Sequence, residues 1–426
     1  MQINKANVRY HLAEMEFFNM KKVIRAFAGV ACTGVILLLA LTAYIQYILP
    51  DTFRVEQGEE FFVSDRLSLT TSDQDNLSPK IFDKNGTIYR LHISLSRQND
   101  AQEVISYAQR RMVVPGGSPF GIKMFTDGVM VVGMSDIQMG SENVNPAKEA
   151  GLKIGDMITH INGQRLERTG DVKELIAESK GTTVSISVRR GENQLELSLK
   201  PVVSALDNGY KAGIWVRDSS AGIGTMTYYD PQTGAFAGLG HGVCDVDTGA
   251  IMPLSSGEIV DVNISGCNIG QSGKPGELKG TFSTEKPIGR LLVNSEFGLF
   301  GLMNISYFGA DPIPMAHKSE IKPGPAVILS TTSGNKPQSF DILIEKVNYS
   351  DIAPTKNLVI KITDQRLLSS TGGIVQGMSG SPIIQEGRLV GAVTHVFVND
   401  PTKGYGIFAE NMDKQINIVE NVKFSA

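Results

Sequence analysis

Gly377-Met378-Ser379-Gly380-Ser381-Pro382-Ile383-Ile384-Gln385-Glu386-Gly387-Arg388-Leu389-Val390-Gly391-Ala392-Val393 sets a glycine-flanked serine before two apolar runs joined by a polar turn. A serine nucleophile needs a tight turn that presents its hydroxyl and two backbone N–H donors facing the developing oxyanion. Glycines on either side of Ser379 permit such a turn, and the Gly377 and Ser379 N–H groups are its natural donors. Apolar strands flank the Gln385–Arg388 turn, so the serine lies among β elements. The nucleophile-elbow pattern G-x-S-x-G fails, because Ser381 holds the fifth position. Only His395 follows Ser379, with Glu386 as the intervening acid, too close for the acid-then-histidine order of an α/β-hydrolase.

Residues 210–426 carry short β-branched strands between glycine turns: Gly213–Arg217, Gly224–Tyr229, Phe236–Leu239, Asp341–Val347, Val359–Thr363 and Leu389–Val398. No long amphipathic helix is evident and no βαβ rhythm is visible, which excludes the parallel sheet of a subtilisin. The order His, Asp, Ser of a chymotrypsin-like double β-barrel fits. Of six histidines, His11, His92 and His160 precede this region, His317 sits in a proline-rich loop, and His395 lies on the strand after the nucleophile. His241, flanked by Gly240 and Gly242 at a strand end, is left as the base. Asp245, Asp247, Asp261, Asp311, Asp341, Asp351 and Asp364 all lie between His241 and Ser379, and spacing does not choose among them. Asp364, at the end of the apolar strand Leu358–Thr363, best meets the need for a buried acid.

Composition agrees with a turn-rich, mainly β chain. Glycine contributes 45 of 426 residues, well above the usual share of about 7%. Forty basic and 44 acidic residues leave a net charge of −4, which gives no reason to invoke nucleic acid. Three cysteines cannot build a disulfide framework. From Ala26 to Leu49 no residue is charged, long enough to cross a bilayer core of about 30 Å. Lys21, Lys22 and Arg25 precede it and Asp51, Glu56, Glu59 and Glu60 follow, which puts the N-terminus in the cytoplasm and the bulk outside. The expected layout is a cytoplasmic N-terminus (1–22), an uncleaved signal-anchor (23–49) and a linker with a small β module (50–109). A further domain (110–202) and the region containing Ser379 (203–426) follow.

The segment Asn145-Pro-Ala-Lys-Glu-Ala-Gly151-Leu-Lys-Ile-Gly155-Asp156-Met-Ile-Thr-His-Ile161-Asn162-Gly163 predicts a short helix ending at Gly151, a turn and the strand Met157–Ile161. Asp171 is the expected N-cap of a helix with Val172, Leu175 and Ile176 on one face. Strands Val184–Arg189 and Gln194–Leu199 complete the unit. It resembles a PDZ domain of the bacterial type. Such domains bind an extended peptide by β-augmentation, with a glycine-containing loop receiving a carboxylate. The resemblance implies that loop at Ser118, Pro119, Phe120, Gly121 and Ile122, with the Val172–Leu175–Ile176 face as the other wall.

Together with that PDZ unit, "GIGTMTYYDPQTGAFAGLGHGVCDVDTG" and "LVIKITDQRLLSSTGGIVQGMSGSPIIQEGRLVGAVTHVFVNDPTKGYGIF" resemble the SpoIVB serine peptidase family of endospore-forming bacteria. The resemblance covers residues 110–426 and puts the family's triad on His241, Asp364 and Ser379. It implies a chymotrypsin-like endopeptidase that uses no metal or cofactor and acts in the space between the two membranes of the developing spore. Its implied substrates are its own N-terminal region and the regulator of a membrane-embedded metalloprotease, whose activation releases the late mother-cell sigma factor. Self-cleavage is a route of release from the membrane. The competing readings are an inactive PDZ scaffold presenting peptide ligands, and a thiol enzyme using Cys244. A Cys244–Cys267 disulfide is compatible with an extracytoplasmic location.

Overall fold

A computed structural model describes residues 110–283, 286–303, 311–350 and 352–424, the short strands Glu60–Ser64, Leu67–Thr70, Lys80–Phe82 and Ile88–Arg90, and helical residues 29, 31–40 and 43–44. The chain divides into two compact units, Met1–Phe53 with Tyr349–Asp351, and Arg54–Asn348 with Ile352–Ala426. Among the described residues no helix is long and apolar enough to cross a membrane, and most of the anchor expected over 23–49 lies outside them. The four short strands form one antiparallel sheet.

In the larger unit the strands are β1 (Met112–Pro115), β2 (Pro119–Met134), β3 (Met157–Ile161), β4 (Val184–Arg190), β5 (Asn193–Leu199), β6 (Ile214–Tyr229) and β7 (Ala235–Gly238). They continue as β8 (Ser256–Asn268), β9 (Glu277–Phe282), β10 (Gly289–Ser295) and β11 (Gly298–Met303). The last six are β12 (Gly324–Ser330), β13 (Gln338–Val347), β14 (Leu358–Ile362), β15 (Pro382–Gln385), β16 (Arg388–Phe397) and β17 (Asp400–Phe408). The longer helices are α1 (Thr169–Glu178), α2 (Gln365–Thr371) and α3 (Ala409–Phe424).

Strands β12 to β17 close a six-stranded barrel in the order β12-β13-β14-β17-β16-β15. Phe340, Ile342 and Ile344 on β13, and Leu358, Ile360 and Ile362 on β14, alternate into its core at the two-residue period of a strand. A second circuit of pairings, the first barrel in chain order, also returns on itself. Strand β2 pairs with β8 (Ile122↔Ile259), β8 with β10 (Ile259↔Gly289) and β10 with β11 (Leu291↔Gly301). From β11 it passes to β7 (Ala237↔Phe300), from β7 to β6 (Phe236↔Tyr229), and from β6 back to β2 (Gly222↔Ile122). Closure leaves neither ring a free sheet edge.

The PDZ unit is not a bead upstream of these barrels. Its sheet uses the second half of β2, paired to β3 (Val129↔Ile158), and the first four residues of β6, paired to β2 (Ile214↔Met134, Val216↔Val131). Val129, Val131, Ile158, Ile161, Ile186 and Leu199 form its core with Val172 and Ile176 of α1. The boundary expected between 202 and 203 is therefore replaced by two shared strands. Two local expectations also change. Helix α1 starts at Thr169, and Asp171 caps it from the third position, its carboxylate accepting the Glu167 and Arg168 N–H groups at 2.9 Å. Helix α3 was not expected, although Met412, Ile416 and Val419 recur at helical spacing and are fully buried.

Candidate active site

Ser379 stands in the turn between α2 and β15, with Gly377 and Gly380 at φ +95° and +96°. An added Cβ on Gly380 would lie 1.9 Å from the Thr225 carbonyl oxygen and 2.5 Å from the Leu239 nitrogen. First-barrel backbone thus abuts the nucleophile turn. The N–H groups of Gly377 and Ser379 donate no hydrogen bond among the described residues. That leaves both available to an oxyanion. The Ser379 hydroxyl donates to the Thr394 carbonyl at 2.8 Å.

His241 follows β7 after Leu239 and Gly240, both in the left-handed region at φ +66° and +69°. Gly240 fits against β16 and β17: a Cβ there would lie 3.0 Å from the Thr394 and Ile407 side chains. The His241 ring packs on His395 with centroids 4.9 Å apart. Ser379 is bonded to Thr394, and the next residue, His395, touches His241, so the two predicted residues share one region across the barrels. The His241 Nδ1–H donates to the Gly242 carbonyl at 2.9 Å, which leaves Nε2 as the acceptor a general base needs. Burial holds the His241 pKa below the ordinary imidazole value, and the Gly242 bond opposes this in part. Desolvation, then the neighbouring His241 and Lys356, push His395 down to about 4.

Asp364 is not brought to His241. Its carboxylate caps α2 through the Arg366 N–H at 2.8 Å, pairs with the Arg366 guanidinium at 2.6 Å and accepts the Asp341 N–H at 3.3 Å. The Arg366 side chain leads the causes that lower its pKa to about 2, so it is an ionised carboxylate with its acceptor sites filled. Among the other acid candidates, Asp245 and Asp247 are both held by Arg217, the second at 2.7 Å, and Asp351 lies outside the described residues. Cys244 and Cys267 are free cysteines rather than a disulfide.

Ser118–Ile122 do not form a carboxylate loop. Pro119 to Ile122 lie in β2 between β6 and β8, with Gly121 paired to both Ile223 and Val260. Both edges are occupied, so no peptide strand can add there. Elsewhere a groove of about 520 Å³ is lined by Val172 and Ile176 of α1, Tyr210, and Ile214, Trp215 and Val216 of β6. Leu175 packs against the core instead. Residues Ile214–Arg217 pair with β2 on one edge only among the described residues, and the Trp215 side chain is 64% exposed beside the groove.

Sequence reasoning missed Asn294 and Thr225. The Asn294 side chain holds the chain after His241, accepting the Val243 N–H at 2.9 Å and donating to the Val243 and Met252 carbonyls at 2.9 and 2.8 Å. Neither residue type nor spacing marks such a contact before the barrels are closed.

A seryl turn with two available N–H donors, in one region with a glycine-flanked histidine and joined to a PDZ sheet, is the arrangement expected of a PDZ-bearing serine peptidase. Residues 208–413 match the model of the SpoIVB peptidase S55 family, and residues 145–190 match a PDZ domain. Residues 208–413, just under half of the chain, form its region of SpoIVB peptidase S55 type. Among curated proteins, it is 41% identical over 56 residues to serine protease HTRA1 of Xenopus tropicalis, spanning 13% of this chain and 12% of that protein. It is 28% identical over 119 residues to a putative zinc metalloprotease of Vibrio cholerae, spanning 28% of this chain and 24% of that protein. The chain thus spans less than a third of either relative. Among solved structures, the PDZ domain of the SdrC-like protein of Listeria monocytogenes aligns at 24% identity over 21% of this chain and 87% of that one, with a TM-score of 0.18. The inactive form of the Rv3671c protease of M. tuberculosis aligns at 14% identity over 46% and 84%, with a TM-score of 0.27.

Proposed function

We propose that this serine peptidase is a membrane-anchored endopeptidase of sporulation signalling. Ser379 is the nucleophile and His241 the base. The observation that carries this reading is the shared region of Ser379 and His241, beside the two available N–H groups of Gly377 and Ser379. In the reaction the Ser379 hydroxyl leaves the Thr394 carbonyl and gives its proton to His241 Nε2 as it attacks the scissile carbonyl. The two N–H groups hold the tetrahedral oxyanion, His241 protonates the leaving amine, and water then releases the acyl group. Asp364 is the acid the family resemblance implies. To stabilise the imidazolium it must exchange Arg366 for His241, which also gives up the Arg366 and Asp341 N–H groups that its carboxylate accepts.

The substrates in this reading are the chain's own N-terminal region and the extracytoplasmic part of a membrane-protein regulator. Its cleavage activates an intramembrane metalloprotease and the late mother-cell sigma factor from the forespore intermembrane space. The PDZ groove between α1 and the open edge of β6 takes an extended peptide of such a partner. The test uses the full chain in membranes, with Ser379→Ala and His241→Ala followed by self-cleavage and by labelling with a fluorophosphonate. Both variants are expected to remain full length, and only the wild type to label. Undiminished cleavage by Ser379→Ala would sink the reading, loss in Cys244→Ala alone would favour a thiol enzyme, and a wild type without cleavage would favour the scaffold.

A further inference from the structure

The nucleophile turn contains Gly377 and Gly380, and glycine reaches many backbone conformations at low cost. The turn is closed by the Ser381 N–H on the Met378 carbonyl and tied to β16 by the Gly380 N–H on the Val393 carbonyl, but neither bond holds the Gly377 or Ser379 carbonyl. Those two carbonyls are restrained from the other barrel. Thr225, on β6, is 1% exposed. Its N–H donates to the Ser379 carbonyl at 3.0 Å, and its hydroxyl donates to the Gly377 carbonyl at 2.7 Å. Its own carbonyl accepts the Leu239 N–H at 3.2 Å, two residues before His241. Thr227, fully buried, donates its hydroxyl to the Gly380 carbonyl at 2.9 Å.

One residue therefore holds the carbonyls of the same two residues whose N–H groups are the oxyanion donors, and on its other side it holds the loop that carries the base. We propose that Thr225 is the positioning residue that fixes the oxyanion turn and sets it against His241. Being buried, it touches no substrate. Its effect is exerted through the orientation of Gly377 and Ser379. Donors fixed in advance need no reorganisation as charge develops, so loss of the restraint weakens binding of the transition state more than of the substrate. This inference rests on Ser379 being the nucleophile.

The experiment compares Thr225→Val, which keeps the shape and removes the hydroxyl, with Thr225→Ser, which keeps the donor. Both are made in the full chain and assayed with a peptide substrate and a peptide boronic acid that mimics the tetrahedral intermediate. Thr225→Val is expected to lower kcat roughly 10- to 100-fold with KM within about twofold. It should weaken the boronate by a similar factor, and Thr225→Ser should restore both. Thr227→Val, which frees only the Gly380 carbonyl, is expected to lower kcat less. Equal loss of substrate and boronate binding, a folded Thr225→Val enzyme with wild-type kcat, or no rescue by serine would overturn the proposal. If Thr225→Val fails to fold, a Thr225→Ser enzyme more than tenfold impaired would also overturn it. Ser379→Ala is read alongside: an active Ser379→Ala enzyme removes the nucleophile assignment itself, whereas an inactive one with an unaffected Thr225→Val removes only the role of Thr225.

Discussion

Gly380→Ala examines the contact between the barrels at its tightest point. At φ +96° an alanine takes a conformation that costs L-residues about 1–2 kcal/mol. Its Cβ would also lie 1.9 Å from the Thr225 carbonyl oxygen and 2.5 Å from the Leu239 nitrogen, both backbone atoms that no rotamer change can move. Relieving such an overlap by shifting backbone costs about 1–3 kcal/mol. The sum is about 2–5 kcal/mol, or a Tm lower by roughly 3–6 °C for a unit of this size. The overlap is relieved by moving the turn, and a displacement of about 1 Å at the nucleophile costs about 100-fold in rate. Gly387→Ala is the control. Its φ of +74° is equally unfavourable, but nothing lies within 4 Å of the added Cβ, so it should lose about 1–2 kcal/mol and keep kcat/KM. Thermal melting and kcat/KM on both variants decide the matter. A Gly380→Ala protein that melts with the wild type, or retains kcat/KM within threefold, refutes the contact.

Two further outcomes follow from the charges at the site. Burial lowers the His241 pKa, so the neutral, base-competent form persists below the ordinary imidazole range, and kcat/KM should hold at pH values where an exposed histidine is already protonated. His395→Ala, which uncovers the His241 ring, should move that acid limb up toward about 6.5, and a pH profile with an unmoved limb contradicts the packing. Asp364→Asn separates the two roles of Asp364. Asparagine also caps helices, so stability should change by less than about 1 kcal/mol, while kcat should fall about 10⁴-fold if Asp364 completes the triad. Steady-state kinetics retaining a tenth of kcat leaves it a helix cap alone.

What was legible in the sequence was what chemistry requires of particular residue types. Ser379 needs flanking glycines, His241 needs room at a strand end, and both requirements survive in the left-handed Gly240, Gly377 and Gly380. The PDZ strand Met157–Ile161 and its Asn162-Gly163 turn were legible because they are local, with positive φ at both turn residues. Thr225 was not, because a threonine in a strand is an ordinary β-former until a second barrel supplies its acceptors. The carbonyl acceptors for Thr225 lie about 150 residues away, at Gly377 and Ser379. Helix α3 escaped for a different reason. Its apolar positions are spaced among Glu410, Asp413, Lys414 and Glu420, and only packing on the first barrel and β16 identifies its buried face. Asp364 illustrates the limit of order arguments, which fix the sequence of a triad but not whether Arg366 already occupies its acid.

The shared strands change what a domain means in this chain. Strand β2 begins in the first barrel, where Phe120 and Ile122 are core residues, and ends in the PDZ sheet, where Val129 and Val131 are. Strand β6 runs the other way, from the groove edge at Ile214 to the site at Thr225. A fragment beginning at 203 would therefore lack Pro119–Phe125, one of six staves, and leave β6 and β8 each with an unpaired edge over that span. Open edges are points of aggregation rather than a reduced version of the same barrel. The cavity edge at Ile214 and the Thr225 bonds to the nucleophile turn lie on one strand, β6, because the first barrel cannot close without the strands that also form the PDZ sheet.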